Sequence, residues 1–394
     1  MQFLLNPFFW AAVVVLYPLQ YIPLPFSRSV VFGVTNLVII GLLLGLSNLL
    51  VAFSFGALIW VLGDLLQKSR AAQRLDKQRA IALSSVAGIL CLLIAYKLGR
   101  TDGFVASLLC GAQPCGSKLV FGAFVALSSS YAALRCLDYV VSIWNGAKAT
   151  DPLSLFGYLF PFHMLIAGPI CSYKNFLTIN EEPLAPVSFS RLIRAVNTIA
   201  TGLFYKFVIA ELLRIYQYGV AGQIVADSWT DSAFLLVYLF FDFAGYSLIA
   251  LGVGLLCQIP TPANFRAPFR SQTVTEFFTR WHISLGDFVR TNVFIPMQVT
   301  LLRRLGVSAA SVASICTISV SFILVGLWHR VSVGFLLWGL FLALVMVVEK
   351  VVADRVAAAA VGHRVLNLGW TIVGPVYVFV VVSTSIHLVA GEVF

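Results

Sequence analysis

The sequence predicts an all-α protein that crosses a membrane many times, and three observations carry that expectation. Of its 394 residues, 60% are hydrophobic and only 11% are charged, too little polar surface to cover a soluble fold of this length. Apolar runs close to the roughly 20 residues that a helix needs to cross a bilayer recur along the whole chain. The densest basic patch, Lys68, Arg70, Arg74, Lys77 and Arg79, falls between two such runs, where the positive-inside rule places a cytoplasmic loop. The same rule accounts for the net charge of +10. No loop carries the basic and aromatic pattern of a nucleic-acid reader, so no nucleic-acid partner is expected.

Taken in order, the first run, 8–26, contains Tyr17-Pro18 and Pro23. It lacks a basic leader and a small-residue cleavage site, so it is expected to stay as a span rather than be removed. The second, 30–64, is too long for one straight crossing and is expected to break around Ser47-Asn48. Runs 80–98 and 118–137 flank a loop holding Cys110 and Cys115, as a disulfide on an oxidising side or as two free thiols. The seven cysteines are scattered without metal-ligand spacing, and no metal site is expected. The run 152–172 is interrupted by Pro161, Gly168 and Pro169. A re-entrant, broken helix fits it better than a full span, because it keeps the polar stretch 173–191 on the cytoplasmic side, and broken backbone is tolerated where protein buries it or a cavity receives it. Further runs at 192–218, 232–257, 306–328, 333–352 and 369–390 bring the expectation to ten to twelve transmembrane or re-entrant helices. There is no repeat of fixed period and no long linker, so 1–394 is expected to form a single domain.

Chemistry concentrates between Asn264 and His329. Read as one helix, 274–290 has a greasy stripe of Phe277, Trp281, Leu285 and Phe288, and another face of Thr275, Thr279, His282, Gly286 and Arg290. Glu276, Arg280 and Asp287 make it too charged to face lipid, so it is expected at an interface or along a wet cavity. A second Trp-His pair, Trp328-His329, ends a small and apolar span with Ser314, Thr317 and Ser321 on roughly the face that His329 extends. On composition alone His329 reads two ways. It is an interfacial histidine bonded near a helix end with Trp328 as an aromatic anchor, or it is a catalytic imidazole facing the bundle interior; His282 carries the same ambiguity. Asp242, inside an apolar run, costs several kcal/mol unless paired, and an arginine or a backbone donor is its expected partner. His163 reads as packing. His363 and His387 lack polar neighbours in the sequence and are expected to do nothing chemical.

Four blocks, in order, make the pattern specific. They are Ala167-Gly168-Pro169-Ile170 with Phe176; Asp242-Phe-Ala-Gly245-Tyr246-Ser247 followed by Gly252; Asn264-Phe-Arg266-Ala-Pro268-Phe through Phe277-Phe-Thr-Arg280-Trp281-His282-Ile-Ser284-Leu285; and Gly326-Leu-Trp328-His329. Through them the chain resembles the membrane-bound O-acyltransferases, in the bacterial branch that includes alginate O-acetyltransferase and the D-alanyl transfer protein of teichoic acid synthesis. The blocks span about 150 to 345, while the first third matches in character only. The resemblance implies a ring of helices around a central tunnel, where a cytoplasmic funnel meets an extracytoplasmic pocket. It implies His329 as the catalytic histidine with His282 in support. It also implies substrate contacts at Trp281, Trp328, Arg280, Ser284, Asn264 and Arg266, and tunnel architecture at Asp242, Gly245, Tyr246, Gly168 and Pro169. The activity implied moves a short acyl group, acetyl or D-alanyl, to a hydroxyl of a cell-envelope glycopolymer. No bound cofactor is implied. The co-substrate would be an acyl thioester on the phosphopantetheine of an acyl carrier protein or on coenzyme A. The setting would be the bacterial inner membrane and its lipid, with room for an extracytoplasmic acyl-relay partner. Two departures bear on partner docking or donor choice: Arg290-Thr291-Asn292 where the family often has Arg-Asp-Tyr, and Arg330 where a glycine commonly follows the second histidine.

Two readings from other classes compete. Broken helices, an intramembrane carboxylate and buried histidines also fit a proton-coupled transporter. The lack of visible inverted halves and the four ordered blocks weigh against it, and substrate uptake by liposomes without covalent acylation would favour it. A membrane scaffold would leave substitutions of both histidines silent.

Overall fold

The computed structural model describes residues 2–19, 21–22, 25–101, 129–181, 185–186, 188–219, 228–358 and 364–390. Cys110, Cys115 and His363 lie outside the described residues. Helices make up the fold, and among the described residues the sole sheet-like contact is an antiparallel bridge between Phe265 and Trp281. Six described helices are long and apolar enough to cross a membrane: Leu46–Ala71, Leu75–Ile94, Phe189–Tyr218, Trp229–Cys257, Val307–His329 and Val333–Ala353. This is a multi-pass membrane protein. Shorter apolar helices at Pro7–Leu19, Arg28–Leu44 and Thr371–His387 join them. The chain divides into two compact units, Met1–Ala200 with Leu248–Pro262, and Thr201–Ser247 with Ala263–Phe394.

In the first unit the long second run does break around Ser47-Asn48, at Gly45. Gly45 has φ of 85°, a left-handed value that glycine adopts at little cost, and it ends Arg28–Leu44 before Leu46–Ala71 begins. The segment 152–172 is discontinuous, as its prolines predict. A helix Pro152–Leu159, capped by the Asp151 carboxylate on the Ser154 amide, gives way to a 3₁₀ turn at Phe162–Met164 and to irregular backbone through Gly168-Pro169. A helix resumes at Tyr173–Glu181.

Broken backbone buried in apolar surroundings needs partners for its freed carbonyls. Arg135, fully buried on the helix Ser129–Trp144, supplies them: its guanidinium donates to the carbonyls of Leu159 at 3.1 Å, Met164 at 2.8 Å and Pro169 at 3.3 Å. One turn on, Asp138 Oδ2 accepts from the Tyr158 hydroxyl at 2.9 Å and from the Tyr173 amide at 2.6 Å. Arg135 and Asp138 therefore staple both ends of the break. Arg135→Met is expected to destabilise the protein by about 3 kcal/mol, because three buried carbonyls lose a charged donor. Thermal unfolding of the purified protein in detergent checks this, and an unchanged midpoint would refute the staple. His163, read as packing, is buried with Nε2 3.0 Å from Thr261 Oγ1.

The second unit is organised around Trp229–Ser247, the helices Ala310–His329 and Val333–Ala358, and Arg364–His387. One buried cluster gathers Leu235, Leu236, Phe277, Val378 and Val382; another gathers Val274, Leu342 and Met346. His387 corrects the sequence reading, since its Nδ1 lies 3.0 Å from the Ser232 hydroxyl and so has polar company. That contact joins residues 155 apart, which no local pattern reveals.

Candidate active site

The first Trp-His pair sits at a break. The expected single helix over 274–290 is instead two, Val274–Arg280 and Ile283–Val289. Between them Trp281 is extended, with φ of −109°, and His282 is left-handed, with φ of 48° and ψ of 50°. A strap, Asn264–Arg266, competes for the backbone here. The Arg266 amide donates to the Arg280 carbonyl at 3.0 Å, and the Ile283 amide donates to the Asn264 carbonyl at 3.0 Å. Side chains reinforce it: Asn264 Oδ1 accepts from the Ser284 hydroxyl at 2.6 Å, and Asn264 Nδ2 donates to Ser247 Oγ at 3.1 Å. A left-handed conformation costs a residue with a side chain roughly 1–2 kcal/mol, and such strain clusters at functional sites. Trp281 fixes the turn by packing, its ring stacked on Phe277 at 5.3 Å and set edgewise to Phe265 at 5.1 Å.

The turn leaves His282 6% exposed, edgewise against Phe243 at 4.7 Å and 6.3 Å from the Trp328 ring. It lies outside the six spanning helices. Burial first, and then the charge that His329 can carry, push its pKa down to about 3, so the imidazole is neutral at ordinary pH.

His329 is built differently. It is the last residue of Ala310–His329 and is exposed. Its ring lies 4.9 Å from Trp328, 6.0 Å from Phe335 in a stacked arrangement and 5.7 Å from Trp338 edgewise. Phe335 and Trp338 belong to the next helix, Val333–Ala358, which crosses closely because glycines face it. A Cβ on Gly326 would stand 2.3 Å from the Phe335 carbonyl oxygen, and one on Gly339 would stand 2.6 Å from that of Phe322. On the serine-threonine face of the His329 helix, Gln298 engages Ser314 at 3.1 Å and Thr317 at 3.3 Å, and Ser321 is buried. One unit thus holds a neutral, buried imidazole and an accessible one, with Trp328 between them. The first can orient a reactant or stabilise developing charge, and the second can exchange a proton.

A family model described as the membrane-bound O-acyltransferase family matches residues 145–389. The chain belongs to that family. A probable alginate O-acetylase of Pseudomonas syringae pv. tomato is 26% identical over 337 residues, covering 82% of this chain and 62% of that protein. A teichoic acid D-alanyltransferase of Bacillus subtilis is 27% identical over 227 residues, with 56% and 58% coverage, and a peptidoglycan O-acetyltransferase of Helicobacter pylori is 25% identical over 232 residues, with 55% and 42% coverage. The chain spans about three-fifths of the length of the first two of these relatives.

In this member of the family the matched region contains both Trp-His pairs and the Asp242 block. Asp242 is paired, but with a lysine rather than the expected arginine or backbone donor: Lys206 Nζ lies 2.5 Å from its Oδ1. Lys206 occupies a π-helical turn, Tyr205–Ile209, whose extra residue breaks the regular helical register. Gly245 lets that turn approach, since a Cβ there would come within 2.7 Å of the Lys206 amide nitrogen. Asp242→Ala leaves the buried Lys206 ammonium without its carboxylate and is expected to cost about 3 kcal/mol. Lys206→Met with Asp242→Leu is expected to recover most of that loss in a thermal melt. A single variant as stable as the parent would contradict the architectural role.

The remaining sequence-predicted residues fall in three settings. Asn264 and Ser284 bond to each other, and Tyr246 is buried. Arg280 pairs with Glu276 at 2.5 Å, while Arg266 and Arg270 are exposed. Gly168 and Pro169 belong to the first unit, in the stapled break. The sequence reading did not single out Arg135, Lys206, Phe335, Trp338 or Glu349. A charge inside an apolar run is the signal that Arg135 and Lys206 carry, and Phe335 and Trp338 carry none, since aromatic residues are ordinary in spans.

Proposed function

We propose that this chain is an O-acyltransferase. It moves a short acyl group, acetyl or D-alanyl, from a cytoplasmic thioester to a hydroxyl of an extracytoplasmic envelope glycopolymer, in the bacterial inner membrane. The observation that carries the reading is the contrast between the two histidines, one buried and held neutral, the other exposed in an aromatic setting. Family membership and the names of the relatives support the chemistry, since those proteins are named for acetyl or D-alanyl transfer on alginate, teichoic acid or peptidoglycan.

In this mechanism the acceptor hydroxyl gives its proton to His329 as its oxygen attacks the thioester carbonyl. His282 orients the donor or stabilises the oxyanion as charge develops there. The carbon–sulfur bond then breaks, the ester remains on the acceptor, and the proton returns from His329 to the departing thiolate. Trp281 and Trp328 form apolar contacts to the acyl arm, and Asn264 and Ser284 hold the His282 turn. Arg266, Arg270 and Arg280 attract the phosphate of phosphopantetheine or coenzyme A. Acyl carrier protein or acyl coenzyme A is the donor, and an extracytoplasmic partner can relay the acyl group onward.

Release of alkali-labile acyl groups from envelope polymers, compared by mass spectrometry between cells with and without the protein, tests the reading. Acetate or D-alanine present only with the protein supports it and names the group. Equal ester content in both would refute it.

A further inference from the structure

One carboxylate of the second unit has a task that the residues above do not explain. Glu349 lies within Val333–Ala353, a stretch apolar enough to cross the membrane, where a carboxylate is costly unless well partnered. It is well partnered. Oε1 accepts from the Val274 amide at 2.6 Å and the Tyr377 hydroxyl at 3.2 Å, and Oε2 accepts from the Thr275 amide at 2.9 Å and the Thr275 hydroxyl at 2.8 Å.

Those two amides open Val274–Arg280, the short helix that leads into the His282 turn. The first amides of a helix have no partner within it. Here Glu349 takes the first two, and the Thr273 hydroxyl takes the amide of Glu276 at 3.0 Å. Glu276 reaches back to accept from the Gln272 amide at 2.7 Å. Packing closes the remaining freedom. Val274 is fully buried beside Leu342 and Met346, and a Cβ on Gly374 would stand 2.8 Å from Gln272 Cα, so the helix start has no room to slide. The far end of this lever, about 10 Å away at 1.5 Å per residue, is the strained turn that presents His282.

We infer that Glu349 is a positioning residue for His282: it pins the start of Val274–Arg280 so that the left-handed turn at its end holds the imidazole in its buried place. The catalytic consequence rests on the acyl-transfer reading, whereas the placement of the ring does not.

Diethyl pyrocarbonate labelling of the purified full-length protein, followed peptide by peptide, reads the placement directly. Exposed His329 serves as a reference within the same molecule. In the parent, His282 is expected to label slowly and His329 readily. In Glu349→Ala, labelling of His282 is expected to accelerate about tenfold, the scale of a lost helix cap acting on local opening, with His329 unchanged within about twofold. Glu349→Gln keeps one acceptor oxygen and is expected to fall between, and it stands in if the alanine variant fails to fold. Acyl transfer should fall in kcat, with the donor KM little changed. Continued protection of His282 in both variants would overturn the inference. So would equal acceleration of both histidines, which marks a loosened fold. If the parent itself shows no acyl transfer, the functional reading fails, and the labelling still decides the role of Glu349.

Discussion

Replacing His329 by alanine is expected to lower acyl transfer by about a thousandfold, within the range that a positioned general base contributes. An alcohol attacks a thioester slowly unless its proton is removed as the bond forms, and imidazole can do this near neutral pH. His329 is exposed at the end of its helix, so removing the ring opens no sealed cavity, and Gly326 and Gly339 still hold the close helix crossing. The variant should therefore insert, purify and melt like the parent while ester formation disappears. Initial rates with a labelled thioester, measured beside a thermal melt, check both halves. Loss of rate together with loss of fold would not support a chemical role.

The second large effect is expected at His282. His282→Asn should lose about a hundredfold in rate, the scale of one lost contact to a developing oxyanion. Asparagine tolerates the left-handed backbone well, so this variant keeps the turn and removes the imidazole. His282→Ala loses the ring and strains the turn as well, and should be less stable than the asparagine variant. Full activity in His282→Asn would mean that only the backbone turn matters.

The pH dependence separates the two histidines. The His282 pKa is held at about 3, below its ordinary 6.5, so it does not titrate across the working range and should contribute no limb to the rate profile. His282→Asn should lower the profile without moving its acid limb. The sign for stability follows from the same shift. Between about pH 3 and 6.5 the unfolded chain binds a proton at this site that the folded one does not, so the parent loses stability as pH falls through 6.5. His282→Asn should lose less over that interval, as thermal melts at pH 5 and 7.5 would show.

How much of this was legible in the sequence depends on how local each cause is. The spanning helices follow from composition, and the broken segment 152–172 follows from Pro161, Gly168 and Pro169. The four blocks place the chain in its family because each keeps its residues within a short window. The turn at Trp281 and His282 was not legible. The period of 274–290 suits one helix, and what breaks it is a strap near Asn264 that bonds to the Arg280 and Ile283 backbone. Lys206 meets Asp242 across 36 residues, Glu349 meets Val274 across 75, and Ser232 meets His387 across 155. Each is a tertiary hydrogen bond that periodicity cannot register. The opposite burial of the two histidines was also invisible, since the charged segment around His282 suggests exposure and the apolar span that ends at His329 suggests burial, the reverse of what the tertiary structure gives.

A sided transfer assay tests the central claim most directly. The protein is reconstituted in liposomes with a labelled acyl thioester on the face of the turn at 72–74, which joins Leu46–Ala71 to Leu75–Thr101, and a hydroxyl-bearing glycan on the other. The account predicts label in ester linkage on the glycan, no free donor across the membrane, and loss of both ester and label in His329→Ala. Label crossing as intact donor without ester, or ester formed equally well by His329→Ala, would contradict it.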